Sequence, residues 1–192
     1  MSPRLMLLCH ASTDAMRRAA FPGDEPLDER GAGQSADAAA RLHDFDSAWT
    51  SPALRARQTA IALRLPAQDD NALRDCDFGR WTGLRLANLQ AQEPDAVASW
   101  IADPSAAPHG GESVLDVLRR VGGWLEARRD MHGRGIAVTH PAVIRAAIIH
   151  VLDASPRSFW RIDIEPLSIT DLRRNGGRWT LRSTGCSLGK IP

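Results

Sequence analysis

Lysine is almost absent from this chain. Lys190 is the single one, and the other 23 of its 24 basic residues are arginine. Any anion site must therefore be built from guanidinium groups, whose planar fork grips oxyanions with two bonds at a time. An excess of either charge is missing too, with 24 basic residues against 23 acidic ones. That balance argues against a nucleic-acid binder or a membrane-surface protein. Cysteine is scarce. Cys9, Cys76 and Cys186 are an odd number without zinc-like spacing, which fits a reduced cytoplasm better than a disulfide framework. Long apolar runs are also lacking. No stretch approaches a membrane span, the N-terminal run is too short for a signal peptide, and too little precedes Cys9 for a lipoprotein signal. A cytoplasmic protein is expected, with no metal cluster, internal repeat or low-complexity segment in the sequence.

What is present is globular. The 192 residues, 43% apolar and 24% charged, suit one domain spanning 1–192, with or without an insertion. In "RLMLLCHASTD", residues 4–14, the short apolar run Leu5–Cys9 predicts a central strand covered on both faces. Asp28 is placed to cap a helix reaching about Leu42. "SAWTSP" reads as a second strand stopped by Pro52. "ALRARQTAIALRL", residues 53–65, predicts a helix with Leu54, Ile61 and Leu65 on one face. A third strand is expected within 67–76, then a glycine-punctuated loop at 77–84. Helical pattern from Leu84 to about Arg129, broken at 102–113, reads as an insertion over 84–130 that covers the site. "GIAVTH", 135–140, repeats the opening pattern of an apolar strand ending in histidine, and a helix with proline at its first position follows. "FWRIDIE", "SITDLRR" and "RWTLRST" read as three closing strands, with "NGG" as the last turn. This alternation predicts an α/β three-layer sandwich: a mostly parallel central sheet with helices on both faces.

The carboxyl ends of strands in such sheets are where ligands bind. His10 and His140 both fall there, 130 residues apart in sequence. Either histidine alone reads as a packed or surface residue. Two in the same context, each before small residues or a helix start, point to one anion site. Arg55, near a helix start just past a strand, is a candidate oxyanion clamp. Alone it would read as a solvated helix residue. Asp75 is a candidate general acid, and alone it would read as a loop residue or a cap.

Six segments occur in a telling order: "LMLLCHAST" at 5–13, "PLDERG" at 26–31, "TSPALRARQTA" at 50–60, "DCDFGRWTG" at 75–83, "GGES" at 110–113 and "THPAVIRA" at 139–146. Together they resemble the histidine phosphatase superfamily, the phosphoglycerate mutase-like family. Its usual forms are a strand with Arg-His-Gly, PLTExG, SSPLxRAxQTA, ExxFGxWEG, GGES and Ser-His-Gly-Gly-Val-Ile-Arg. The resemblance implies a phosphomonoesterase acting on a small phosphorylated metabolite. His10 would be the nucleophile, giving a phosphohistidine that water hydrolyses. Arg55 and His140 would hold the phosphoryl oxygens, with a hydroxyl from Thr13. Asp75 would protonate the leaving oxygen, where the family usually has the longer glutamate. No metal or other cofactor is implied. The insertion is modest, which favours hydrolysis over phosphoryl transfer between metabolites. The motifs resemble the alpha-ribazole phosphatase branch most. A homodimer is left open.

The chain departs from the family pattern in the first and last of these segments. Cys9 stands where the family has a phosphate-binding arginine, in a Cys-His-Ala motif. Ala11 replaces a glycine, Met16 falls where many members have asparagine, and Pro141 and Ala142 replace glycines. Arg17 and Arg18 follow His10 closely and are candidates to supply the missing guanidinium, the other reading being that they are solvated. Cys9 is not placed to be a tyrosine-phosphatase-type nucleophile. Such a loop needs arginine six residues later, where this chain has Ala15. Cys9 reads instead as a small filler at the phosphate site. The rival to an enzyme is a degenerate member that binds a phosphorylated ligand or a protein partner without turnover.

Overall fold

The computed structural model describes residues 3–42 and 44–188. Their strands are β1 (Arg4–Cys9), β2 (Ser47–Thr50), β3 (Gln68–Asp69), β4 (Arg134–Thr139), β5 (Ser168–Asn175) and β6 (Arg178–Ser187). They form one sheet in the order β3-β2-β4-β1-β5-β6. The first four are mutually parallel, and β5 and β6 form an antiparallel edge. The helices are α1 (Asp14–Arg17), α2 (Glu29–Ala38), α3 (Leu54–Ala62), α4 (Leu86–Gln92), α5 (Pro94–Ala102), α6 (Val114–Glu126) and α7 (Pro141–Leu152).

Strand β1 is buried along its whole length, as its unbroken apolar run requires of a central strand. Its side chains alternate between two cores. Leu5, Leu7 and Cys9 join Val117, Val121 and Leu125 of α6 and Val143 and Ala147 of α7. Met6 and Leu8 join Ala38 of α2 and Ala56 and Ala60 of α3. Helices therefore cover both faces, and the three-layer α/β expectation holds. No helix among the described residues is long and apolar enough to cross a membrane.

Several local expectations need correction. The face of α3 toward the sheet is Arg55, Ala56, Thr59 and Ala60, while Ile61 is 73% exposed and Leu54 37%. Small residues let the helix lie close to the sheet, so the leucine spacing misled. Leu65 lies beyond the helix, after Arg64 turns left-handed at φ 57°. Helix α2 stops at Ala38, and a 3-10 turn, Ala39–Arg41, continues it. The third strand shrinks to two residues because Asp70 caps a 3-10 turn at Asn71–Leu73, its Oδ1 accepting from Ala72 N–H at 2.9 Å. "FWRIDIE" is no strand. Ser155 and Pro156 start a 3-10 helix, Pro156–Arg161, whose aromatic residues pack inward. Segment 84–130 divides: α4 and α5 share a separate apolar cluster with Phe21 and Trp81, whereas α6 belongs to the main helical layer.

Candidate active site

Register creates the centre of the site. Strands β1 and β4 pair with Cys9 opposite Thr139, so the next residue on each is a histidine. His10 N–H donates to the Thr139 carbonyl at 2.9 Å, and the two imidazole centroids are 5.1 Å apart. That spacing is close to the separation of neighbouring strands.

Each ring is oriented by one bond. His10 Nδ1 donates to the Ala11 carbonyl at 2.7 Å. Its Nε2 keeps a lone pair, which accepts from Arg55 Nε at 3.3 Å. Burial, then the charges of His140 and Arg55, push His10 down to about 3. The imidazole is thus neutral and nucleophilic at ordinary pH. His140 Nε2 lies 2.7 Å from Ser51 Oγ. Its Nδ1 is 3.3 Å from Asp75 Oδ2, yet that contact lacks hydrogen-bond alignment and the buried nitrogen has no other partner among the described residues. Burial, followed by the charge of Arg55, holds His140 well below the usual imidazole range.

Arg55 ties the centre together. Asp24 Oδ1 accepts from Leu54 N–H at 2.7 Å and fixes the start of α3. Arg55, in that first turn, is only 2% exposed. Besides His10, its guanidinium donates to the Gly23 carbonyl at 2.7 Å and to Asp75 Oδ2 at 2.8 Å. Asp75 therefore reaches the centre despite its short side chain. Its chain segment is anchored from α6: Arg120 donates to the carbonyls of Ala72, Arg74 and Asp75 at 2.8, 2.9 and 3.3 Å. Glu112 of "GGES" in turn bonds Arg120, Arg74 and Asp77 N–H.

These groups open on a cavity of about 540 Å³ floored by His10, Arg55 and Asp75 and walled by Phe21, Phe78, Trp100 and Trp160. That volume suits a small-molecule ligand. Glu25 and Arg145 also line it. Among the described residues, no group of three or more His, Cys, Asp or Glu side chains is arranged to hold a metal ion.

The other residues singled out in the sequence sit elsewhere. Cys9 is completely buried in the core behind His10 and does not line the cavity. Burial pushes its thiol far up, so it is neither a thiolate nucleophile nor a phosphate ligand. Thr13 is buried beside the cavity, where its hydroxyl caps α1 and contacts Glu25 at 3.3 Å. Arg17 pairs with Asp14 and with Asp28 at 3.2 Å, and Arg18 faces Asp14 at 3.9 Å. Both are exposed and outside the cavity lining. Sequence reasoning passed over Ser51, Glu25 and Arg145. Ser51 and Arg145 lie inside quoted motifs, whereas Glu25 stands in a segment that reads only as a turn.

The family profile described as histidine phosphatase superfamily (branch 1) matches residues 5–187. The chain belongs to the histidine phosphatase superfamily. A bifunctional protein of Mycobacterium tuberculosis is 34% identical over 190 residues, covering 90% of this chain and 51% of that protein. The chain thus spans about half the length of that relative. Phosphoserine phosphatase 1 of Hydrogenobacter thermophilus is 28% identical, covering 98% of this chain and 95% of its own. The solved structure of a mycobacterial glucosyl-3-phosphoglycerate phosphatase shares 27% identity with a TM-score of 0.85, covering 97% of this chain and all of its own. In this superfamily member one strand-end histidine, the α3 arginine and a carboxylate meet at the cavity floor, and the second histidine, His140, is buried directly beside them.

The buried imidazoles give a stability signature. Their folded-state pKa values lie below the unfolded value, so below about pH 6.5, and for His10 down to about pH 3, the unfolded chain binds more protons. Stability is therefore lost as pH falls through that window. Each imidazole contributes a slope of about 1.4 kcal/mol per pH unit once its unfolded form is protonated. Urea midpoints at pH 7 and pH 5 should diverge less for His10→Gln than for the natural protein. An unchanged divergence would show that His10 is not held neutral.

Proposed function

We propose that the protein is a phosphomonoesterase that hydrolyses a small phosphorylated metabolite through a phosphohistidine on His10. The observation that carries this reading is the state of the two imidazoles. His10 presents a neutral Nε2 lone pair toward Arg55, and His140, its ring centroid 5.1 Å from that of His10, holds a buried nitrogen with no hydrogen-bond partner among the described residues. A phosphoryl group between them supplies an electrophile to the first and acceptor oxygens to the second.

In the first step Nε2 attacks phosphorus, the N–P bond forms and the ester P–O bond breaks. Arg55 neutralises the phosphoryl oxygens as charge spreads over them, and the uncharged His140 ring donates a hydrogen bond to one of them from Nδ1. Arg55 turns its donors to the phosphoryl group and leaves the Asp75 carboxylate free to handle a proton. The phosphomonoester monoanion brings a proton for it, and Asp75 passes that proton to the leaving oxygen. In the second step Asp75 takes a proton from water, which attacks the phosphohistidine and releases phosphate.

The names of the relatives, phosphoserine phosphatase and glucosyl-3-phosphoglycerate phosphatase, support a small phosphorylated metabolite as substrate. The alpha-ribazole phosphatase likeness is a narrower proposal of the same kind. The binding-only reading draws on Cys9, but retention of nucleophile, clamp and acid in contact weighs against it. Phosphate release from a panel of phosphorylated metabolites, alpha-ribazole phosphate among them, tests the reading. At least one ester should turn over with kcat/KM of about 10⁴ M⁻¹s⁻¹ or more. A protein that binds phosphate yet releases none from any ester is the binding module instead.

A further inference from the structure

Arg145 is a cation that the proposed chemistry leaves unused. It projects from α7 into the cavity wall. Its Nε donates to the Ile162 carbonyl at 2.7 Å, and its guanidinium carbon lies 5.7 Å from the ring centres of both Phe159 and Trp160. One bond and two ring faces fix the group in place. The two terminal nitrogens make no hydrogen bond or ion pair with any described residue. A half-buried guanidinium held by its stem side, with its fork open to a cavity, is the form of a receptor for an oxyanion.

The geometry points to Arg145 as the anchor for a carboxylate on the leaving part of the substrate, so that the cavity takes a phosphomonoester whose alcohol portion carries a second acid. This inference rests on the phosphomonoesterase reading of the same site. A second clamp on the phosphoryl group is the competing role, and the surroundings disfavour it. The floor already holds Arg55, which bonds His10 and Asp75 directly. The charge of Arg55 reaches both imidazoles, whereas that of Arg145 is coupled most strongly to Asp163, an exposed residue at the cavity rim, then to the buried Cys9 thiol and last to Asp75. The cavity walls are aromatic, with Trp100 and Trp160 in contact at 4.3 Å between centroids and tilted by 57°. The substrate that fits is anionic at both ends and apolar or planar between them. Leaving a partly desolvated cation unpaired is costly, so an analogue without the acid is discriminated against.

Phenyl phosphate and 4-carboxyphenyl phosphate test this directly, with 4-carbamoylphenyl phosphate as the uncharged match for size. The corresponding arylphosphonates, measured by calorimetry, report binding without turnover. The natural protein should favour the carboxylated member at least tenfold in both kcat/KM and binding. In Arg145→Met and Arg145→Gln the preference should shrink to within about twofold. Arg145→Gln keeps a donor for the Ile162 carbonyl, so a loss confined to Arg145→Met would mark a purely structural role and overturn the inference. It is also overturned if the natural protein shows no preference, if the preference survives both substitutions, or if both members of each pair weaken alike. Selective binding of the carboxylated phosphonate without hydrolysis of any ester would uphold the anchor and refute the phosphomonoesterase. Hydrolysis without preference would do the reverse.

Discussion

Replacing Arg55 by methionine is expected to lower kcat/KM for an aryl phosphate by about 10³-fold or more, the scale of a guanidinium stabilising a phosphoryl-transfer transition state. The loss has three sources in the structure. The transferring group loses its clamp, His10 loses the guanidinium neighbour at 3.3 Å that helps hold its ring uncharged, and Asp75 loses its 2.8 Å partner. Lysine should restore little, because one ammonium cannot reach His10, the Gly23 carbonyl and Asp75 together as the fork does. A loss below tenfold would remove Arg55 from the chemistry.

Asp75→Asn should separate substrates by their leaving groups. An alkyl phosphate needs its leaving oxygen protonated, and general acid catalysis is worth about 10²–10⁴-fold. A nitrophenolate departs without that help. The expected result is a loss of about 10²-fold or more in kcat/KM for the alkyl ester and a much smaller one for p-nitrophenyl phosphate. The quantity kcat/KM covers formation of the phosphoenzyme only, so the later water step does not blur the comparison. Equal losses on both esters would mean that Asp75 positions Arg55 and does not deliver a proton.

The parts of the fold that were legible in sequence are those where periodicity is forced by burial. β1 and β4 are unbroken apolar runs because both their faces are covered. The histidines were legible as a pair for the same reason: equal register places the residue after each strand at the same edge. Helix α3 was legible as a helix but not in orientation, because its inner face is made of alanines, a threonine and the arginine destined for the site. The misread strand at 159–165 is the end of a 3-10 helix, Pro156–Arg161, followed by an irregular segment whose apolar and polar residues happen to alternate. In the site, Arg55, Asp75 and His140 followed from motif order. The place of Cys9 did not. Residue 9 looks like a hole in the phosphate cradle, but its side chain points with Leu5 and Leu7 into the core under α6 and α7. An arginine introduced there would have to displace that packing before it could reach a phosphoryl group. Arg17 and Arg18 were legible as arginines near His10, but their carboxylate partners, Asp14 and Asp28, draw them outward. Arg145 was quoted within its motif and passed over, because nothing in a linear string shows that its guanidinium turns into the cavity.

The central claim is that His10 carries the phosphoryl group in a covalent intermediate. Rapid quenching of the enzyme with a radiolabelled phosphomonoester, followed by peptide mapping, tests it most directly. The account expects label on the peptide containing His10, stable in alkali and labile in acid, absent from His10→Ala together with turnover, and retained in Cys9→Ser. Label that survives His10→Ala, or turnover that persists in that variant, would contradict it.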